Sequence, residues 1–133
     1  MPASPAHFDH EKLDVYQRSL QFISWSTALF SELREERIPQ LREVCDQLDR
    51  ASISVFLNNA EGNGRRSSQA RAKFFDDARG SATECAACLD VLVAKGACVA
   101  RRVSDGKELQ LRAVSMLTKL VERFDANAGK EKR

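Results

Sequence analysis

The sequence has 133 residues, of which 43% are hydrophobic and 30% are charged, and its net charge is +2. That length suits one domain with its own core, and that balance of apolar and charged residues excludes an intrinsically disordered chain. No apolar run is long enough to span a bilayer, and the first residues lack the basic and apolar segments of a signal peptide. We therefore expect a cytoplasmic protein with no membrane partner.

Apolar residues recur at helical spacing in four segments joined by short connections. The predicted helices are Glu11–Glu36, Pro39–Gly62, Ser68–Cys98 and Asp105–Asn127. Asp105 and Glu108 have the spacing of a capping box at the start of the fourth helix. Short connections make consecutive helices antiparallel. The sequence thus predicts an all-α, up-down-up-down four-helix bundle at residues 11–127, with a flexible tail at 1–10 and a flexible basic tail at 128–133.

The first predicted helix carries two apolar stripes. The stripe assigned to the core contains Leu13, Tyr16, Leu20, Ile23, Thr27 and Phe30. A second stripe lies roughly 140° around the helix and contains Val15, Phe22, Trp25, Leu29 and Leu33. A bundle helix buries one broad face, and exposed aromatic surface is typical of interfaces, so the second stripe predicts an oligomer interface. The alternative is a helix that lies deep and buries both stripes.

Other apolar residues also fall outside the main stripes of their helices. They are Ile53 and Leu57 in the second predicted helix and Leu111, Val114 and Val121 in the fourth.

A polar corner separates the second and third predicted helices. Gly62 and Gly64 are expected to supply the positive φ that ends a helix, and Ser67 or Ser68 to cap the next one. Asn59 is expected to bond free carbonyls of the last turn, and Glu61 to pair with Arg65 or Arg66. The alternative makes this corner a ligand or partner site formed by Arg50, Asn59, Glu61, Gly62, Gly64 and Arg65.

The segment from Arg50 to Ser67 closely resembles the signature of the four helix bundle protein family, first noted as open reading frames in intervening sequences of bacterial 23S ribosomal RNA genes. The resemblance extends from about Phe8 to about Phe124. Further matches at the family's spacing are Leu13, Val15, Tyr16, Phe74, Phe75, Ala78, Gly80, Ser81 and Glu84. The resemblance implies a four-helix bundle that assembles as a ring-like homopentamer.

The residue patterns of enzyme sites are missing from the sequence. Its two histidines, His7 and His10, form no Glu-x-x-His pair. No GxSxG elbow and no GxxxxGK[ST] loop occurs. We expect no enzymatic activity and no cofactor.

The cysteines are Cys45, Cys85, Cys88 and Cys98. Cys85 and Cys88 form a CxxC pair in the middle of a predicted helix, without the turn that zinc knuckles need or the helix N-terminus that activates a thiol. We interpret the cysteines as small core residues and expect no metal and no disulfide.

Basic residues suggest a second interpretation. They cluster at Arg65, Arg66, Arg71, Lys73, Arg101 and Arg102. In a ring these clusters would repeat with the symmetry and strengthen the local field. The accessory variability determinant of diversity-generating retroelements shares the fold of the resembled family and is a basic pentamer that binds reverse transcriptase and nucleic acid. The sequence favours a non-enzymatic, homo-oligomeric adaptor, with an RNA- or DNA-associated accessory protein as the alternative.

Overall fold

The computed structural model describes residues 13–35 and 39–131, and this part of the chain is helical with no strand. The helices are α1 (Asp14–Glu35), α2 (Arg42–Gly64), α3 (Ser68–Ala94) and α4 (Ala100–Glu131), and a short 3-10 turn, Pro39–Leu41, precedes α2. The predicted all-α class with four helices is confirmed. The predicted N-terminal tail, residues 1–10, lies outside the described residues.

Contacts between helices give their directions. As the residue numbers rise on one helix of a contacting pair, they fall on the other, which fits an antiparallel up-down-up-down bundle. The pairs are Gln47–Glu84 and Ser54–Ser81 between α2 and α3, Ser68–Glu131 and Asp90–Lys107 between α3 and α4, and Trp25–Gly106 and Glu32–Arg102 between α1 and α4.

The turn after α3 was missed in the sequence. Gly96 has a φ of +77°, and its N–H donates to the Val93 carbonyl at 3.0 Å. The Ala97 N–H donates to the Leu92 carbonyl at 3.0 Å, which completes a Schellman motif. The helix therefore ends at Ala94 rather than at the predicted Cys98.

The predicted bounds of the last helix were also wrong. It begins at Ala100, so Asp105 and Glu108 lie inside it and form no capping box. It continues to Glu131, so residues 128–131 of the predicted flexible tail are helical.

The core is built mainly by α2, α3 and α4. It contains the predicted residues Leu48, Val55, Phe75, Ala78, Ala82, Cys85, Leu89, Leu92, Ala113 and Leu117, all of them buried. Burying each large apolar side chain contributes about 1.5–3 kcal/mol to folding. The residues assigned to the core in these three helices are therefore largely confirmed.

The two stripes of α1 were assigned the wrong way round. Val15, Phe22, Leu29 and Leu33 are at most 5% exposed and belong to the core, and Trp25 packs against it. Four of the five residues predicted to form an oligomer interface are therefore covered by the bundle itself. The alternating spacing of four and three residues from Val15 to Leu33 indicates a core-facing stripe. The pattern is hard to recognise because two of its positions are the serines Ser19 and Ser26. Both serines are buried.

The hydroxyls of the buried serines donate hydrogen bonds to backbone carbonyls of α1. The Ser19 Oγ donates to the Val15 carbonyl at 2.8 Å, and the Ser26 Oγ donates to the Ile23 carbonyl at 3.1 Å. Such bonds satisfy the hydroxyl hydrogen inside a core, so serine can stand at an apolar position. In the stripe that was assigned to the core, Leu20 and Thr27 are exposed, whereas Leu13 and Phe30 pack against the core from its edge.

Candidate functional site

The α2–α3 corner is a tight helix junction. Arg65 is extended (φ −79°, ψ 150°), and Ser67 is extended (φ −81°, ψ 143°) at the N-cap of α3. The Ser67 Oγ accepts the Ala70 N–H at 3.1 Å, which confirms the predicted cap. The Ser68 Oγ donates to Glu131 Oε1 at 2.6 Å, and its N–H reaches Glu131 Oε2 at 3.3 Å. The end of α4 is thereby fixed to the start of α3.

Gly62 serves close packing rather than chain reversal. It lies inside α2, and among the described glycines only Gly96 has a positive φ, so the predicted role of Gly62 and Gly64 is wrong. A Cβ at Gly62 would lie 2.9 Å from the Phe75 ring, whereas one at Gly64 would meet nothing within 4 Å. Gly62 lets α2 and α3 approach each other at their junction.

Asn59 faces the core instead of capping α2. Its residue is 0% exposed, and its Nδ2 donates to the Ser19 Oγ on α1 at 3.1 Å. The predicted bond to free carbonyls of the last turn is therefore wrong. Among the described residues the Asn59 Oδ1 has no hydrogen-bond partner, which is costly for a buried acceptor. Asn59 is a polar contact between α1 and α2.

The other polar signature residues do not converge on Asn59. Glu61 accepts from Arg65 at 2.7 Å on the surface, as predicted. Arg50 lies in the middle of α2 and donates to the Gln47 Oε1 at 2.8 Å, while the Gln47 Nε2 donates to Glu84. The structure thus brings Glu61 and Arg65 together at the corner and leaves Arg50 outside it.

The six predicted nucleic-acid contacts are split between two ends of the bundle. Arg65, Arg66, Arg71 and Lys73 lie at the α2–α3 corner, and Arg101 and Arg102 lie at the start of α4. The two groups are separated by the length of α3, which has 27 residues and spans about 40 Å at 1.5 Å per residue. One protomer therefore presents two basic groups rather than a single surface.

Most cations at the corner are held against aromatic rings. The Arg65 guanidinium lies 4.7 Å from the centre of the Phe74 ring, and the Arg71 guanidinium lies 5.3 Å from that of Phe124. The Arg71 Nε also donates to the Arg65 carbonyl at 2.6 Å. Arg66 is exposed. Cation–π contacts position these side chains while leaving their charge near the surface.

At the other end of the bundle, where α4 begins, Arg102 contacts two side chains of α1. Its Nε and one terminal nitrogen donate to the two oxygens of Glu32 at 2.7 and 2.8 Å, and its guanidinium lies 5.5 Å from the Trp25 ring centre. The hydrogen bond from Arg102 lowers the pKa of the Glu32 carboxyl, and the same bond raises the pKa of Arg102. Arg102 thus joins α1 to α4.

An apolar ridge runs along the outer side of α1 and α2. The α1–α2 ridge consists of Leu20, Ile53 and Leu57, whose exposed fractions are 39%, 42% and 54%. On the same two helices, the Tyr16 and Phe56 rings lie in tilted contact with centroids 4.6 Å apart. Leu20 lies one turn after Tyr16 and Ile53 one turn before Phe56, so antiparallel packing makes the two side chains neighbours.

An open groove lies on the opposite side, between residues 83–94 of α3 and 100–114 of α4. Its cavity volume is about 730 Å³. Ala86, Val93 and Val103 contribute apolar lining, and Leu111 on its wall is 62% exposed. The ion pair between Asp90 and Lys107, 2.6 Å long, crosses the rim. In the sequence, only the off-stripe positions of Leu111 and Val114 indicated an apolar surface here.

The CxxC pair lies inside the bundle, as predicted. Cys85 and Cys88 are buried, while Cys45 and Cys98 are partly buried. Burial raises the pKa of the Cys85 thiol to about 12, with smaller contributions from Cys88 and Glu84. Burial likewise raises the pKa of Cys88. These two thiols are protonated at neutral pH and therefore make poor nucleophiles.

Within residues 13–35 and 39–131, no cluster of three or more His, Cys, Asp or Glu side chains could hold a metal ion. None of the helices in those ranges combines the length and the apolar character needed to cross a membrane.

The family model for the 23S rRNA-intervening sequence protein matches residues 11–119. No curated protein matches the chain. The matched range includes α1, α2, α3 and most of α4, and with them the α2–α3 corner and the α1–α2 ridge.

Proposed function

Since the chain belongs to the 23S rRNA-intervening sequence protein family, we propose that it is a non-enzymatic assembly or adaptor module that works as a homo-oligomer. One observation carries this proposal. Leu20, Ile53 and Leu57 are exposed large apolar side chains on two adjacent helices, and clustered exposed apolar side chains on a small protein are typical of a protein–protein contact.

The proposed partner at the ridge is a second copy of the chain. The ring-like homopentamers implied by the family resemblance set five as the proposed number of subunits. The ridge replaces the buried α1 stripe as the proposed interface, and we propose that the assembly resides in the cytoplasm.

Sedimentation velocity tests the assembly. The unmodified chain should sediment well above its monomer mass of 14.9 kDa. Leu57→Glu places a charge in the proposed interface and should shift the protein to monomer. Val99→Glu is the matched control, because Val99 is 71% exposed but lies in the α3–α4 turn, away from the ridge. A folded monomer at micromolar concentration for the unmodified chain would refute the proposal.

A second candidate function is an RNA- or DNA-associated accessory role. The observation that favours it is the group Arg65, Arg66, Arg71 and Lys73, which gathers four cations at one end of the bundle. Phosphate binding through such a group releases counterions, so affinity must fall steeply as salt rises. The basic group repeats around any ring that the protomers form, which would add their fields.

A gel-shift series measures this second function. Arg66→Glu should weaken retardation of RNA at low salt, whereas Arg101→Glu, at the opposite end, should change it little. Both arginines are exposed, so neither change should alter helical content. Retardation that resists salt, or that both substitutions reduce equally, would exclude the corner as a specific nucleic-acid surface.

A further inference from the structure

The contacts that hold α1 in the bundle differ from those of the other helices. Along α1 the stripe that enters the core is interrupted by Ser19 and Ser26, both buried. Helix α1 also packs less extensively on its neighbours than α3 does on α2 and α4. Fewer residues of α1 than of α3 therefore approach a neighbouring helix closely.

One buried polar atom lies between α1 and α2 without a hydrogen-bond partner among the described residues. It is the Asn59 Oδ1, on the side chain that donates to Ser19 of α1. Closing α1 onto the bundle desolvates this atom without a compensating bond, so opening α1 returns it to water.

Two contacts tie α1 to α4. The Trp25 ring lies so close to Gly106 that a Cβ there would collide with it. One turn earlier on α4, Arg102 holds Glu32 through two hydrogen bonds. The ion pair is surface-exposed, with 55% of the Glu32 side chain accessible, so it holds α1 only weakly.

Helix α3 packs on α2 and α4 through large apolar side chains. Phe75 fits against Gly62 of α2 and stacks on Phe124 of α4, with ring centroids 5.7 Å apart. Leu89 of α3 and Leu117 of α4 are fully buried as well. Among the described residues, α3 therefore lies in closer contact with its neighbours than α1 does with α2 and α4.

We infer that α1 opens as a unit while α2, α3 and α4 stay folded. A domain can unfold in parts, and the part with the fewest packing contacts opens most easily. Opening exposes the stripe of Val15, Phe22, Leu29 and Leu33, an apolar surface that the closed protein hides. This inference goes beyond the proposed assembly and does not depend on it.

Hydrogen exchange followed by mass spectrometry on the full chain tests the opening. Amides of α1 should exchange at least about tenfold faster than those in the centre of α3, since a difference of 1.4 kcal/mol in opening free energy is a factor of ten. The ratio should be the same at two protein concentrations, which separates opening from dissociation of an oligomer. Equal protection of α1 and α3 would overturn the inference.

Two glycine variants sharpen the test. Gly106→Ala pushes the Trp25 ring away and should speed exchange in α1 by roughly tenfold, the scale of an overpacked contact, while α3 stays unchanged. Gly80→Ala is the matched control, because a Cβ there meets nothing within 4 Å. Should Gly106→Ala fold poorly, Glu32→Gln is the second variant, because it removes the ion pair with Arg102. It should speed amide exchange in α1 alone, by a smaller factor. Faster exchange of α1 and α3 together in either variant would contradict the account.

Discussion

The seam around Phe75 and the seam around Asn59 show two ways of joining helices within one bundle. At the first, Gly62 leaves space for a buried ring, and that ring stacks on Phe124. At the second, Asn59 reaches Ser19 with one atom and leaves its Oδ1 unpaired. Apolar burial stabilises the first seam. At the second seam, the desolvation of an unpaired polar group offsets part of that stabilisation. We therefore expect the two seams to differ in strength.

The largest expected effect comes from removing a core ring. Phe75→Ala should lower the free energy of unfolding by about 3–5 kcal/mol in a single transition, because the ring is 1% exposed and packs on both α2 and α4. Phe22→Ala on α1 is the matched variant with the same burial. Its cost should appear chiefly as an early, separate transition in denaturant. Identical single transitions for both variants would remove the contrast between the seams.

Filling the space at the junction should have an intermediate effect. Gly62→Ala drives a methyl group into the Phe75 ring and should cost about 1–3 kcal/mol. Gly80→Ala, also inside a helix but in open space, should instead stabilise by roughly 0.5–1 kcal/mol. Urea unfolding measures both. A neutral Gly62→Ala would mean that the ring can move aside, and the first seam would be looser than its packing indicates.

Removing the polar contact of the second seam should stabilise the protein. Asn59→Leu eliminates the unpaired Oδ1, and Ser19 keeps its bond to the Val15 carbonyl. We expect a gain of roughly 1 kcal/mol, or about 4 °C in thermal midpoint. Thermal unfolding measures this gain. A loss of more than 2 kcal/mol would show that Asn59 contributes net stability.

Acid should weaken the tie between α1 and α4 by a small amount. The Glu32 pKa is lowered from 4.5 by Arg102 when the protein is folded, so its contribution is present above pH 4.5 and is lost as the pH falls through the lowered value. Trp25 fluorescence should report increased opening of α1 below that pH, and Glu32→Gln should remove this step. Because the pair is exposed, 1 M salt should reduce the step as well. A step that persists in Glu32→Gln would belong to another group.

Much of this architecture could be predicted from the sequence, because helical periodicity and short connections determine a bundle almost by themselves. The Ser67 cap and the Glu61–Arg65 pair are local, and both were predicted correctly. Asn59 was not, since its partner Ser19 lies 40 residues away in the sequence. Gly62 was misassigned for the same reason. A glycine is needed at this position because the Phe75 ring, on another helix, occupies the space that a side chain would take. The faces of α1 were exchanged because buried serines look like surface residues until their backbone bonds are seen.

The most direct test of the contrast between the seams uses the chain's single tryptophan. Trp25 is on α1, so its fluorescence reports the docking of that helix, while circular dichroism reports all four. In guanidinium chloride the fluorescence transition should precede the loss of helix, leaving a stage at which most helical signal remains after Trp25 has been released. Superimposable transitions would show one cooperative unit and would contradict a separately docked α1.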